Sequence, residues 1–221
     1  WLLMPNFIGC STVAIFYYRA NVISRSAGQS ACACAAYFAA TRIECQRTRM
    51  TYDYTERTGV DYSEIIAPVV ADRQVTITRF QLWNLVEAGE KRPDAQLARS
   101  IVLALPTEID NQSKIQLVWE FVLENFVNRG TIADINIHQI DSDNPRAYVL
   151  LTMRNLSVTA TGEIQFGNKN RTWNSRSLIK QQKQNWATAA NKYLAIVGAD
   201  LIDHRNPDER EIEDLNPIIE T

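Results

Sequence analysis

The chain has 221 residues, 46% of them apolar and 22% charged, which is enough for one domain with a buried core and too apolar for a disordered chain. Four cysteines are too few for a disulfide framework at this length, and the apolar start WLLMPNFIGCSTV has no basic leader and is too short to span a bilayer, so an intracellular (cytoplasmic), soluble protein without a membrane segment is expected. The formal net charge of −2 hides an asymmetry: residues 208–221 carry six acids and one base, leaving 22 bases against 19 acids, a net of +3, in residues 1–207.

In chain order, residues 13–23 (VAIFYYRANVI) are β-branched and aromatic and predict a strand, broken by Ser24-Arg25-Ser26-Ala27-Gly28. Gln29 to Thr41 is an Ala-rich helix carrying Tyr37. Residues 42–61 read as polar and irregular, and Tyr62 to Ala67 as a short strand ended by Pro68. A helix is expected from Thr76 to Glu90, with Phe80, Trp83 and Val86 on its apolar side. Residues 99–105 (RSIVLAL) predict a strand closed by Pro106. Ile115, Val118, Trp119, Val122, Leu123 and Phe126 then make an apolar helical stripe, stopped at Asn128-Arg129-Gly130. Strands follow at Ile132–Gln139 and Ala147–Met153 around the turn DSDNP, and a last helix runs from Ser175 to Ile196. Helices and strands interleave without a regular β-α-β rhythm, so a single α+β domain with a mainly antiparallel sheet is expected.

Two features invite chemistry. Cys32-x-Cys34 with Cys45 reads either as a soft-metal site or as small apolar residues on an Ala-rich helix. Arg42, Arg47, Arg49 and Arg57 alternate with Tyr52 and Tyr54, and Lys169, Arg171, Trp173, Arg176, Lys180 and Lys183 form a second basic cluster; each reads either as a surface for single-stranded nucleic acid or as a solvated face.

Seven stretches carry a resemblance: AIFYYRANVISRSAGQSACACAAYFAA, DYTERTGVDYSEIIAP, KRPDAQLARSIVLALP, ENFVNRGTIADINIH, NPRAYVLLTMR, FGNKNRTWN and IDHR. In register they resemble the nicking domain of MobA/MobL (MobQ) conjugative relaxases. The resemblance implies a relaxase or rolling-circle-nuclease fold, α+β with a central antiparallel sheet flanked by helices. It divides the chain into a lead-in (1–12), the relaxase-like domain (13–205) and an acidic tail or linker (206–221). It also implies an activity: a tyrosine attacks a phosphodiester of single-stranded DNA at an origin of transfer during conjugation or mobilisation, aided by a divalent metal (Mg or Mn) on three histidines. Other relaxosome proteins are the implied partners.

Carried over by position, Tyr37 matches the nucleophile and His138 one metal histidine. The other two histidine positions hold Arg146 and Tyr148, neither a normal ligand, because Arg has no lone pair to offer and Tyr would have to lose its proton. Histidine is also the family's usual residue where this chain has Tyr17 and Tyr62, and acids are usual where it has Ser100 and Val102. The DNA-contacting set expected from the resemblance is Arg25, Arg42, Arg47, Arg49, Tyr54, Arg146, Lys169 and Arg171. His204 in IDHR is expected to be structural. Three functions remain open: a nicking relaxase, a catalytically impaired homologue that binds single-stranded DNA, or an interaction domain that keeps the fold without either activity.

Overall fold

The computed structural model describes residues 16–70, 73–158 and 164–205, so the lead-in with Cys10 and the acidic tail lie outside the described residues. In chain order the elements are β1 (Tyr18–Ser24), α1 (Ala31–Phe38), β2 (Arg42–Cys45), β3 (Met50–Asp53), β4 (Val60–Ile66), β5 (Val69–Val70), β6 (Arg73–Gln74), α2 (Arg79–Gly89), β7 (Gln96–Ala104), α3 (Asn111–Asn125), β8 (Ala133–His138), β9 (Arg146–Thr152), β10 (Arg154–Val158), β11 (Ile164–Lys169) and α4 (Arg176–Ile196). The main sheet is antiparallel throughout, in the order β1-β7-β9-β8-β4.

Alternation decides what each central strand presents. Ala133, Ile135 and Ile137 of β8 and Ala147, Val149 and Leu151 of β9 join Leu117, Phe121 and Val122 of α3 and Trp186, Ala190 and Leu194 of α4 in one core. The opposite face, with Ile23, Ala98 and Leu150, packs against Ala35 and Ala36 of α1 and Leu82 and Trp83 of α2. Helices cover both faces, so β8 is buried along its whole length, and Asp134, Asn136 and His138 are enclosed on the α1/α2 side. Asp134 is satisfied there by Arg79 Nε and Nη2 and by Trp83 Nε1, each at 2.8 Å, which ties α2 to the sheet.

A second buried carboxylate docks α1. Glu87 Oε1 accepts from Ser30 Oγ at 2.8 Å and from the Ala31 amide at 2.9 Å, while Oε2 accepts from Arg25 at 2.9 Å and Arg47 at 3.0 Å. Ser30 is also the N-cap of α1, and a reciprocal Thr78–Gln81 capping box starts α2.

Several expectations are corrected. Residues 42–61 are not irregular: β2 and β3 form a hairpin registered from Arg42–Asp53 to Cys45–Met50, and β4 begins at Val60. Both strands are four residues long, with Ile43 and Cys45 buried and Tyr52 partly buried against the same core, so the alternation is too brief to stand out. A second hairpin, β10–β11, follows the main sheet and is anchored by Glu90, which binds Arg154 at 2.7 Å and Lys169 at 3.0 Å. On α2, Phe80 is exposed while Leu82, Trp83 and Val86 are buried. On α3, the fully buried residues include Leu117 and Phe121; Ile115, Trp119 and Leu123 flank the core.

Candidate nucleic-acid site on the α1 face of the sheet

The last turn of α1 carries Tyr37 and Phe38, and each is held by a different part of the fold. Tyr37 is 44% exposed. Its ring meets Tyr54 edge-on at 5.3 Å, and the Arg57 guanidinium lies 3.7 Å from its centroid. Arg57 Nη1 also donates to the Tyr37 carbonyl, so one side chain grips both the ring and the backbone of this residue.

Phe38 turns down onto the sheet. Its ring lies 5.1 Å from Tyr148 of β9, which in turn lies 4.6 Å from the His138 ring. The Phe38 carbonyl is 2.6 Å from His138 Nε2. A carbonyl can only accept, so Nε2 carries the proton and Nδ1 the lone pair. Burial lowers the His138 pKa, and nearby Arg57 adds to this, against the opposing influence of the Phe38 carbonyl and Asp61; the result lies below the usual histidine value.

Arg146 is the direct cross-strand partner of His138, and its guanidinium lies 4.6 Å from the Tyr17 ring centroid. Tyr148 pairs with Val102 and Leu150 with Ser100 on the same face, so Tyr37, His138, Arg146, Tyr148, Tyr17, Val102 and Ser100 all belong to the α1 side. Tyr62 does not. It pairs with Ile137, packs against the α3/α4 core and bonds Glu64, on the opposite face of the sheet.

The basic residues sort into two groups. Arg25 has a side chain only 10% exposed and is spent on the Glu87 carboxylate and on the carbonyls of Glu87, Glu90 and Arg92. Lys169 is likewise engaged by Glu90 and by the Gln96 carbonyl at 2.6 Å. Arg47 is 38% exposed although paired with Glu87. Arg42, 67% exposed, stands 4.0 Å from Asp53, and Arg49 is exposed at the turn of the hairpin with φ of 56°. Tyr54 is half-buried against Tyr37, and the Arg171 side chain lies outside what is described. Trp173 of the second basic cluster is a core residue stacked near Phe126. His204 lies 3.7 Å from Asp203.

Arg57 is the residue whose place the sequence did not disclose. Its only signal was membership of a basic and aromatic run, whereas the fold sets it on the Tyr37 ring.

The donor set around His138 does not fit a three-histidine cation site. Nδ1 of His138 offers one lone pair while its Nε2 is used by Phe38, but Arg146 offers only N–H groups, Tyr148 is a phenol, and one oxygen of the neighbouring Asp61 accepts from the Ile140 amide at 2.8 Å. Among the described residues, the three-residue group with metal-capable atoms close enough is Cys32, Cys45 and Glu87, all buried, with Cys34 outside it. Both oxygens of Glu87 are already committed there, and burial pushes the Cys32 thiol up, so the two cysteines serve as small core residues.

The MobA/MobL family model matches residues 29–220. Conjugal transfer protein TraA of Rhizobium radiobacter is 32% identical over 233 aligned residues, 94% of this chain and 21% of its own length. Mobilization protein MobL of Acidithiobacillus ferridurans is 40% identical over 126 residues, covering 57% of this chain and 32% of its own. A solved structure described as the molecular basis of vancomycin resistance transfer in Staphylococcus aureus superposes with a TM-score of 0.76 at 31% identity, over 87% of this chain and 100% of that one. The chain thus spans about a fifth of the length of the TraA relatives. With its antiparallel sheet between two helical layers and a family match over most of its length, the chain belongs to the MobA/MobL family of conjugal transfer and mobilisation proteins.

Proposed function

We propose that this chain is a DNA-nicking domain, in which Tyr37 attacks a phosphodiester of single-stranded DNA at an origin of transfer and stays covalently joined to one end. The observation that carries this reading is the presentation of Tyr37: half-exposed at the end of α1, gripped by Arg57, and next in the chain to Phe38, whose carbonyl meets His138 where it pairs with Arg146. A phenol attacks a phosphodiester only when its position is held and the developing charge is met nearby. Exposed Arg42 and Arg49 and the half-exposed Arg47 lie on the hairpin beside α1, where they would neutralise DNA phosphates while Tyr54 offers an aromatic edge for a base. The DNA would be met in the cytoplasm, with other mobilisation proteins of the same element as partners; among the described residues no helix is long and apolar enough to cross a membrane.

A second reading, binding without nicking, is favoured by one observation: Arg146 and Tyr148 occupy positions where two metal histidines are implied. One experiment separates the two. The chain and its Tyr37→Phe variant are incubated with a pool of single-stranded oligonucleotides containing a randomised core, and denaturing gels report any protein–DNA adduct. An adduct formed only with Tyr37 supports nicking. Retention of DNA without an adduct leaves the binding reading.

A further inference from the structure

We propose that two guanidinium groups, Arg57 and Arg146, take the place of a divalent metal in this chain, so that Tyr37 forms its DNA adduct without one. The inference rests on the nicking reading above and concerns how the phosphate is held.

Charge is the first ground. Among the described residues, Arg25, Arg42, Arg47, Arg79, Arg92, Arg154 and Arg205 each have a carboxylate within 4.0 Å; Arg57 and Arg146 are among those with no ion pair, as are Arg19, Arg49, Arg99, Arg129 and Arg176, but these two are held over aromatic rings on the α1 side, Tyr37 and Tyr17. Both flank the Tyr37–Phe38 turn: Arg57 on the Tyr37 ring, Arg146 across from the histidine that binds the Phe38 carbonyl. One cation on the Tyr37 ring and a second on the same face of the sheet, on the Tyr17 ring and across from His138, suit an anion, and together they carry the charge of one divalent ion. Adding such an ion would place it against two like charges.

Donor chemistry is the second ground. His138 has its Nε2 committed to Phe38, Tyr148 is a phenol, and the strand facing β9 supplies Val102 and Ala104 opposite Tyr148 and Arg146 rather than carboxylates. This set is poor in oxygen and imidazole ligands and rich in N–H donors. A guanidinium binds phosphate oxygens through parallel charged hydrogen bonds and stabilises the charge that grows on them during displacement.

The step balances without a co-reactant. The Tyr37 Oη–phosphorus bond forms as one phosphorus–oxygen bond to a sugar breaks; the phenolic proton is released to solvent, and the departing sugar oxygen takes one up. Arg57 acts first as a positioning residue for the Tyr37 ring, and Arg146 as the donor reaching the phosphate from the sheet.

The test uses the same oligonucleotide pool, with adduct formation measured under single-turnover conditions in EDTA and in added Mg²⁺ or Mn²⁺. The expected result is an adduct that forms in EDTA at a rate within roughly threefold of that with metal, since a Lewis acid does not carry the step. Arg146→Ala and Arg57→Ala should each slow it by roughly 100-fold, the scale of losing one donor to a transition-state oxyanion. Arg57→Lys should recover part of that loss, because the charge returns without the fork. The double variant Arg146→His, Tyr148→His removes one guanidinium and restores imidazoles, and its residual adduct formation should become sensitive to EDTA. An adduct that requires metal in the parent chain overturns the proposal while leaving the nicking reading intact. DNA binding with no adduct under any condition overturns both. Unchanged rates in Arg57→Ala and Arg146→Ala also overturn it, even where EDTA is tolerated.

Discussion

Glu87→Gln removes the charge from the junction that docks α1, while keeping the side chain's size. Glu87 has no exposed side-chain surface, and its two oxygens accept four bonds, from Ser30, Ala31, Arg25 and Arg47. Gln retains one acceptor and turns the other position into a donor that faces donors. Removing one partner of a buried ion pair costs about 3–5 kcal/mol, chiefly because the other charge is left uncompensated. Arg25 keeps the carbonyls of Glu87, Glu90 and Arg92, and Arg47 is 38% exposed, so water can reach it; both facts place the cost at the lower end, about 3 kcal/mol. For a chain of this length that corresponds to a fall in Tm of roughly 6–12 °C. Urea unfolding followed by tryptophan fluorescence gives the free energy, with a slope that should not change. A double-mutant cycle should show stronger coupling of Glu87 to Arg25, 10% exposed, than to Arg47. A loss below about 1 kcal/mol with an unchanged slope would refute the claim that this carboxylate holds α1 in place.

Acid should unfold the protein through the same group. Burial would raise the Glu87 carboxyl, but its bonds to Arg25, Ser30, Ala31 and Arg47 outweigh burial and hold it below the usual value; Glu90 is lowered in the same way by Arg154 and Lys169. A carboxyl lowered in the folded state contributes stability that is present above its unfolded pKa and lost as pH falls through the folded one. Stability measured by urea midpoints should therefore be flat down to about pH 5 and then decline, less steeply in Glu87→Gln. Gly130→Ala should cost about 1 kcal/mol or more, because φ is +95° there and a Cβ would meet the Asn155 side chain at 3.1 Å; thermal melts report it. For DNA binding, Arg49→Ala should lower the slope of log affinity against log salt by roughly 0.7, the share of one phosphate contact on a single strand. Arg25→Ala should leave that slope unchanged and lower the melting temperature, since its guanidinium faces Glu87 and three carbonyls.

Long periodic elements were legible along the chain. The strand predicted at Ile132–Gln139 is β8, the one at Ala147–Met153 is β9, and the helix expected over Ser175–Ile196 is α4 within one residue. Short elements were not. The β2–β3 hairpin has two buried apolar residues and the partly buried Tyr52, and it packs against α1, a contact that no local pattern announces. On α3, Val118 and Val122, with Phe126 just past its end, are buried as their spacing predicts, but Leu117 and Phe121 take the places that spacing alone also allows to Trp119 and Leu123, and only the partner surface chooses between them.

For the site, the family resemblance singled out Tyr37 and His138 and the two further histidine positions, and residue identity then showed that Arg146 and Tyr148 are not ordinary metal ligands there, because lone pairs and charges belong to side chains wherever they fold. Where cations point is a different matter. Arg25 and Arg57 look alike in sequence, yet one is turned into a buried carboxylate on α2, 62 residues away, and the other lies over the Tyr37 ring. Those partners are brought together by packing of α1 against α2 and the β2–β3 hairpin, and a bulge between Val60 and Tyr62 pairs Tyr62 with Ile137, on the far side of the sheet from His138. Local chemistry can be read residue by residue; the pairing of one charge with another depends on distances that exist only once the two helical layers close over the sheet.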